Sequence, residues 1–293
     1  MVRRRVTSAG QQASFVWRPL HPELARDLSD ARMQLHHAAQ LVSAMGISYL
    51  PHAADDSHTN LGWIDGDVSA LASHVVTATP PIQLAVRPDP FALLVLEGGE
   101  PCDVFALHGR TVSEAETWVR QQLSARRLDA ATYTLKKHYT IPPHPVDGTA
   151  AFDASAASAF EQLRAWYADA SVVIEALVAK TPNSSPVRCW PHHFDIATLI
   201  EVAPKTETAP QKTISLGMEP GDGYYAEPYF YASMYPSPSA VPQVALDGGG
   251  TWHSHEWIGA VLPGSRVSHE DQRAQLTAFV ESAARESRSA LRG

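Results

Sequence analysis

The stretch TISLGMEPGD, residues 213–222, has the pattern of a β-strand with one buried face. Its apolar residues recur at every second position, which places them on one side of an extended chain. The stretch PIQLAVRPDP, residues 81–90, repeats this pattern, and in both stretches a proline follows the third apolar residue by two positions. The apolar residues are Ile82, Leu84 and Val86 in the earlier stretch and Ile214, Leu216 and Met218 in the later one. Related strands in the two halves of the chain predict an internal duplication.

Amphipathic helices are predicted before and after the strands of each half. Apolar residues recur every three or four positions over 24–45 and again over 160–177, the spacing of one helix face. The closing helices are predicted to begin at capping boxes, which are Thr111 with Glu114 and Ser268 with Asp271. The sequence therefore predicts an α+β protein of two related halves, each ordered helix, mostly antiparallel strands, helix.

The predicted boundaries follow these patterns. The segment YTIPPHPVDGTAAFDAS is rich in proline and interrupts regular structure. The first residues carry positive charge but lack the apolar stretch that a secretory signal needs. We predict a disordered N-terminus at 1–18, a first α+β half at 19–138, a Pro-rich linker at 139–155 and a second α+β half at 156–293.

The composition limits the partners and the compartment. The chain has 293 residues and a net charge of -8, and its Lys and Arg residues are scattered, unlike the basic stripe of a nucleic-acid-binding protein. No apolar run is long enough to cross a bilayer. The two cysteines argue against a disulfide scaffold and for a reducing compartment. We predict a cytoplasmic protein with no nucleic-acid or membrane partner, and the sequence does not indicate an oligomeric state.

The 14 histidines fall largely into clusters, which raises the question of a metal site. In the stretch CWPHHFDIATLI, residues 189–200, His193 and Asp195 would share one face if they lay on a strand. Imidazole and carboxylate groups are ligands of zinc, and two histidines with one carboxylate also form non-haem Fe(II) sites. One hypothesis is therefore a divalent metal site, with zinc preferred to iron, that uses some of the residues His192, His193, Asp195, His253 and His255.

This metal hypothesis implies an enzyme. A bound ion would lower the pKa of water, and Glu227 or Glu256 would act as the base. Arg266, followed two residues later by Ser268, is similar to the Arg-x-Ser that anchors a carboxylate co-substrate in 2-oxoglutarate oxygenases. A hydrolase is nevertheless preferred to an Fe(II) oxygenase, because the strand pattern between Asp195 and His253 does not resemble the barrel of those enzymes.

The alternative for the same residues is purely architectural. Asp195 would cap a turn, and the neighbouring histidines would lie half exposed, each with a hydrogen-bonding neighbour. Asp67 matches Asp195 in the first half, and a feature present in both halves favours an architectural role. The paired His36 and His37 are expected on the surface or flank of the first helix.

Tyrosines are concentrated in GDGYYAEPYFYASMY, residues 221–235, where they could line a pocket for a flat or sugar-like ligand. The alternative is that alternate rings fill the core. The first functional hypothesis is small-molecule binding in a cleft near 190–195, 224–231 and 252–257, and metal-dependent catalysis is the second. A partner-binding protein with an exposed apolar patch is the third. The predicted ligand-binding residues are Trp190, Tyr229, Tyr231, Trp252 and Arg266.

Several motifs resemble those of a bacterial family known only as a domain of unknown function. They are SPVRCWPHHFDIATLI, GMEPGDG, EPYFYASMYP, EWIGAVLP and, near the start, LHHAAQLVSAMGISYLPHA. The signature of that family reads SPV, two residues, FWG, one residue, FDLA. The resemblance covers most of residues 30–285 and implies a bacterial cytosolic protein of one structural unit, without an activity to transfer. His192 and His193 depart from the family pattern, whereas Trp190, Phe194 and Asp195 match it.

Overall fold

The computed structural model describes residues 17–292. The predicted disorder of the N-terminus therefore lies outside the described residues for positions 1–16. Of the last two residues of that segment, Trp17 packs against the core. Arg18 forms an ion pair of 2.9 Å with Asp65.

Within residues 17–292, four α-helices flank two antiparallel sheets. Helix α1 spans Ser29–Tyr49 and continues a 3₁₀ helix at Pro22–Leu28. The other helices are α2 at Val112–Ala125, α3 at Ala157–Val178 and α4 at Gln272–Arg292. None of the helices between residues 17 and 292 combines the length and the apolar character that a membrane-spanning helix needs.

The first sheet has five strands in sequential order, and the second has six in the order β10-β11-β9-β8-β7-β6. The first sheet contains β1 at Gly62–Ile64, β2 at Ala70–Ala72, β3 at Ile82–Arg87, β4 at Ala92–Glu97 and β5 at Glu100–Ala106. The second sheet contains β6 at Arg188–Cys189, β7 at Ile196–Ala203, β8 at Lys212–Glu219, β9 at Tyr229–Tyr235, β10 at Thr251–His253 and β11 at Gly259–Pro263.

The two sheets meet at their edges. Leu61, which precedes β1, and Cys189 in β6 exchange both backbone hydrogen bonds, at 2.9 and 2.8 Å. The predicted α+β class is confirmed, and both halves have the order helix, antiparallel strands, helix. The duplication itself stays a prediction, because the same order of elements can arise without a common ancestor.

Helix α1 is buried at every position from Gln34 to Gly46, so the expectation that His36 and His37 lie at its surface is wrong. The two histidines are 4% and 3% exposed. Part of the cover over α1 comes from the segment predicted as a linker, since His37 Nε2 donates to the carbonyl of Pro142 at 3.1 Å. A helix covered on all sides carries no solvent face for polar side chains.

One of the two predicted capping boxes is present. Thr111 and Glu114 cap each other's backbone N–H groups at the start of α2, as predicted. Helix α4 begins differently, because Asp271 itself accepts a hydrogen bond from the backbone N–H of Ala274 at 3.2 Å. Ser268 instead accepts from the N–H of Glu270 at 3.1 Å. Asp is as good an N-cap residue as Ser. Helix α4 therefore begins at Gln272, directly after Asp271, and not directly after Ser268 as predicted.

Candidate functional site

A cavity of about 740 Å³ lies on the face of the second sheet that is turned away from α3 and α4. Strands alternate their side chains between two faces. On β8, the apolar residues pack towards the helices, whereas Ser215 and Glu219 line the cavity. On β9, the same alternation places Tyr229, Tyr231 and Ser233 on the cavity side. The other lining residues are Ala54, Asp55, Asp56, Trp190, His192, His193, Asp195, Thr198, Leu199, Asp222, Tyr224 and Trp257.

One wall of the cavity is a turn of residues 190–195 that the helices hold in place. Within the turn, the Phe194 N–H donates to the Trp190 carbonyl at 2.6 Å and the Trp190 N–H donates to the Asp195 carbonyl at 2.9 Å. Phe194 has a φ of 74°, which is incompatible with an extended strand. The predicted strand placement of His193 and Asp195 is therefore wrong, because β7 begins only at Ile196.

Buried polar groups of α1 and α3 fix this turn from behind. The Pro191 carbonyl accepts hydrogen bonds from His36 Nε2 at 2.8 Å and from Gln40 Nε2 at 2.9 Å. Because a carbonyl can only accept, the proton of His36 lies on Nε2. The ring of His36 also stacks on Phe194, with centroids 4.6 Å apart. From α3, Tyr167 Oη donates to the Phe194 carbonyl at 2.6 Å.

Two buried carboxyl groups form the polar floor of the cavity. The register that pairs Ile196 with Met218 brings Asp195 opposite Glu219. Asp195 Oδ2 accepts a hydrogen bond from Tyr231 Oη, and Asp195 Oδ1 is buried without a partner among the described residues.

Burial raises the pKa of both carboxyl groups. The pKa of Glu219 lies well above its usual range, because the negative charges of Asp195 and Asp222 add to the desolvation. Arg32 opposes this rise through its positive charge. For Asp195, the hydrogen bond from Tyr231 and the charge of His193 oppose the rise. The pair therefore keeps a proton to higher pH than two exposed carboxyl groups would.

Gly217 allows Tyr231 to reach Asp195. A side chain at this position would place its Cβ 2.7 Å from the carbonyl oxygen of Ile196 and 3.0 Å from the ring of Tyr231. Without that side chain the tyrosine ring can lie close to β8, where its hydroxyl is also 3.2 Å from Ser215 Oγ. Gly217 thus leaves space for the hydrogen bond from Tyr231 that orients the buried carboxyl group of Asp195.

Aromatic rings and further carboxyl groups complete the cavity. Tyr229 Oη donates to Asp222 Oδ2 at 2.8 Å, which fixes both side chains. Trp190 contacts His192 edge to face, with ring centroids 6.1 Å apart. None of the described lining residues is Lys or Arg, whereas five of them are Asp or Glu. The cavity is therefore acidic and aromatic together.

The structure brings some of the predicted site residues to this cavity and leaves others elsewhere. Trp190, His192, His193, Asp195, Tyr229 and Tyr231 all line it. Trp252 does not, because its indole Nε1 donates to the Val244 carbonyl at 2.8 Å. Trp257 lines the cavity in its place.

The two predicted bases and Arg266 lie outside the cavity lining. Glu227 accepts hydrogen bonds from the backbone N–H and the hydroxyl of Ser265. Glu256 has a φ of 68° in a bend and interacts with Tyr224. Arg266 ends a short 3₁₀ helix, Gly264–Arg266, and its carbonyl accepts from Gln275 at 2.9 Å. Of the five carboxyl groups that line the cavity, Asp195 was predicted from the sequence, whereas Asp55, Asp56, Glu219 and Asp222 were not.

The predicted metal ligands are not assembled into one group. His253 contacts Tyr225 Oη at 2.9 Å and the carbonyl of His255 at 2.7 Å, which occupies both of its ring nitrogens. Among residues 17–292, the group of three potential ligands whose atoms lie within 4.8 Å of one another is His52, Asp56 and His58. Asp56 also lines the cavity.

The contact of His36 with the turn predicts acid sensitivity. Burial lowers the pKa of His36 to about 4 from an ordinary value of 6.5. Since the folded-state pKa is the lower one, the stability that neutral His36 supplies is complete above pH 6.5 and is lost as the pH falls towards 4. A shift of this size corresponds to about 3 kcal/mol in the free energy of unfolding.

We expect His36→Gln to remove this dependence. Urea unfolding from pH 7.5 to 4 should show that the wild type loses up to about 3 kcal/mol more than the variant. The exposed His255 provides a control, because His255→Gln should follow the wild-type profile. Equal pH profiles for the wild type and His36→Gln would show that the buried imidazole does not govern the acid response.

The fold and the cavity together define an α+β protein with a ligand-sized acidic cavity on the open face of an antiparallel sheet. The chain belongs to the family of unknown function DUF5996, whose sequence profile matches residues 21–290. This match confirms the resemblance drawn from the motifs. No curated protein and no solved structure matches the chain with significance.

Proposed function

We propose that this protein binds a small organic cation with an apolar or aromatic portion in the acidic cavity. The observation that carries the proposal is the buried Asp195 carboxyl group, whose Oδ1 has no partner among the described residues, opposite Glu219. An unpartnered buried carboxylate is costly, and a proton on the pair lowers that cost. An organic cation in the cavity would add a second positive charge to that of Arg32 and replace the proton.

The aromatic lining supports a cation that also carries apolar surface. Tyr224, Tyr229, Trp190 and Trp257 present rings to the cavity, and ring faces attract cations by about 0.5–2 kcal/mol each. The volume of about 740 Å³ lies within the range of pockets that hold small organic molecules. An anion of the same size would face carboxyl groups without a lining Lys or Arg among the described residues to pair with.

Three aromatic probes, one cationic, one neutral and one anionic, test the role of charge. Benzyltrimethylammonium, benzyl alcohol and benzoate would be titrated into the protein by calorimetry at pH 7.5. We expect the ammonium probe to bind at least about tenfold more tightly than the alcohol, since one cation–π contact or charge contact contributes about 1–2 kcal/mol. Benzoate should give no measurable heat of binding.

Two variants assign any binding to this cavity. Asp195→Asn should weaken the ammonium probe by about tenfold or more, because it removes a lining charge with little change of shape. Glu201→Gln is the control: it changes a carboxylate on β7, the strand that follows Asp195, and this residue does not line the cavity. Equal affinities for the ammonium and alcohol probes, or equal effects of the two variants, would contradict the proposal.

A further inference from the structure

We propose that His52, Asp56 and His58 bind a divalent metal ion at the mouth of the cavity, and that Zn²⁺ is the ion that suits them best. The proposal is independent of the cation site proposed above. It replaces the ligand set predicted from the sequence, which the structure does not bring together.

The distances are compatible with one ion. Each of the three residues offers a ligand atom, and these atoms all lie within 4.8 Å of one another. The rings of His52 and His58 meet edge to face with centroids 5.0 Å apart. Ligand atoms about 2.0–2.2 Å from a tetrahedral zinc ion lie about 3.3 Å from each other, so a modest contraction of the loop closes the site.

The loop that carries these ligands is anchored to the rest of the fold. The Asp56 carbonyl accepts hydrogen bonds from the backbone N–H and the hydroxyl of Thr59, both at 2.9 Å. His74 Nε2 donates to the Ser57 carbonyl at 2.9 Å. These contacts hold the backbone of the loop and do not use the side chains of the three proposed ligands.

The carboxylate of Asp56 already faces imidazole groups. His138 Nε2 lies 2.9 Å from Asp56 Oδ2 and donates to it, since a carboxylate only accepts. At His58, the hydrogen bond from the Ala53 N–H to Nδ1 is long, at 3.3 Å. No strong existing contact of His58 therefore opposes coordination.

The ligand types select the ion. Two imidazoles and one carboxylate suit zinc and similar transition metals, whereas Mg²⁺ and Ca²⁺ prefer sites made only of oxygen ligands. Three protein ligands leave a fourth position open, as catalytic zinc sites do. Asp56 also lines the cavity, as does its neighbour Asp55, so a bound ion would lie next to the cavity.

Metal titration of tag-free protein tests this site. After removal of metal with a chelator and dialysis, Zn²⁺ would be titrated by calorimetry, and Co²⁺ would be added in parallel to record its visible spectrum. We expect one equivalent of either ion and, for Co²⁺, the intense absorption of a four-coordinate site. Failure of the wild type to bind either ion, or binding of several equivalents with equal weak affinity, would overturn the proposal.

The variants locate the ion. His58→Ala should weaken binding by more than the about 10–100-fold that loss of a supporting residue causes. His52 is exposed, so His52→Ala keeps the fold and should weaken binding similarly even if His58→Ala fails to fold. The matched control is His255→Ala, an exposed histidine outside the cluster, which should bind as the wild type does. Loss in His255→Ala with retention in His52→Ala would place the metal elsewhere and refute the assignment.

Discussion

Gly46→Ala is expected to lower the free energy of unfolding by about 3 kcal/mol, although alanine normally stabilises a helix by about 1 kcal/mol relative to glycine. Gly46 lies in α1, where the loop that precedes β1 crosses the helix. A Cβ at this position would lie 1.9 Å from the carbonyl oxygen of His58 and 2.9 Å from its carbonyl carbon. Both atoms belong to the backbone, so no rotation of a side chain relieves the overlap.

Displacement of the loop should have two measurable effects, on stability and on Zn²⁺ binding. Urea unfolding would report the loss of stability, and Gly223→Ala is the control, since a Cβ there meets nothing within 4 Å. The same variant should also weaken Zn²⁺ binding, because His58 moves with the loop. If Gly46→Ala were as stable as the wild type, the backbone of the loop would not lie in close contact with α1.

Periodic patterns in the sequence identified the elements of the fold well. The two-residue alternation over 213–222 corresponds to β8, and the three-to-four spacing over 160–177 corresponds to α3. These signals are local, because they depend on which face of one element is buried. His36 and His37 were misplaced because the burial of α1 on all sides depends on distant segments, which local periodicity does not report.

Prediction of the candidate site required contacts between distant segments, which the sequence encodes only indirectly. Tyr229 and Tyr231 were identified by their density, and Trp190 by its motif. Glu219 was missed, although it lies on the same polar face of β8 as Ser215. Its pairing with Asp195 requires the register between two strands, and that register follows from the whole sheet. The sequence did not predict a site at His52, Asp56 and His58, because the turn that folds them together has no periodic pattern.

Asp67 and Asp195 also differ in a way that the sequence comparison did not predict. Asp67 is exposed in a turn, whereas Asp195 is buried beside Glu219. The argument that a feature present in both halves is architectural therefore does not apply to Asp195. A buried carboxyl group present in only one half is instead typical of a site that serves a ligand.

Glu219→Gln is expected to stabilise the protein at pH values above 4.5, the ordinary pKa of a glutamate side chain, while it weakens binding of the ammonium probe. The folded-state pKa of Glu219 is raised well above its usual value of 4.5. The folded protein therefore keeps a proton that the unfolded chain has already lost, and stability falls as the pH rises from 4.5 towards the folded-state pKa. Glutamine has nearly the same shape and cannot ionise, so it removes that loss.

Urea unfolding between pH 4 and 9 measures the effect. One proton held only in the folded state gives a slope of about 1.4 kcal/mol per pH unit, so the difference between wild type and variant should grow by that amount per unit above the unfolded-state pKa. At pH 4 the two proteins should be similarly stable, since both side chains are then neutral. Glu201→Gln should leave the wild-type slope unchanged.

The same proton links stability to ligand binding. If an organic cation replaces the proton on the Asp195 and Glu219 pair, binding must release up to one proton, and the measured heat must then depend on the ionisation enthalpy of the buffer. Titration of benzyltrimethylammonium in phosphate and in Tris would reveal this dependence for the wild type, and Glu219→Gln should reduce it. Binding of the probe with the same heat in both buffers would mean that the cation does not meet the buried pair, and the proposed binding mode would have to be abandoned even if the affinity were high.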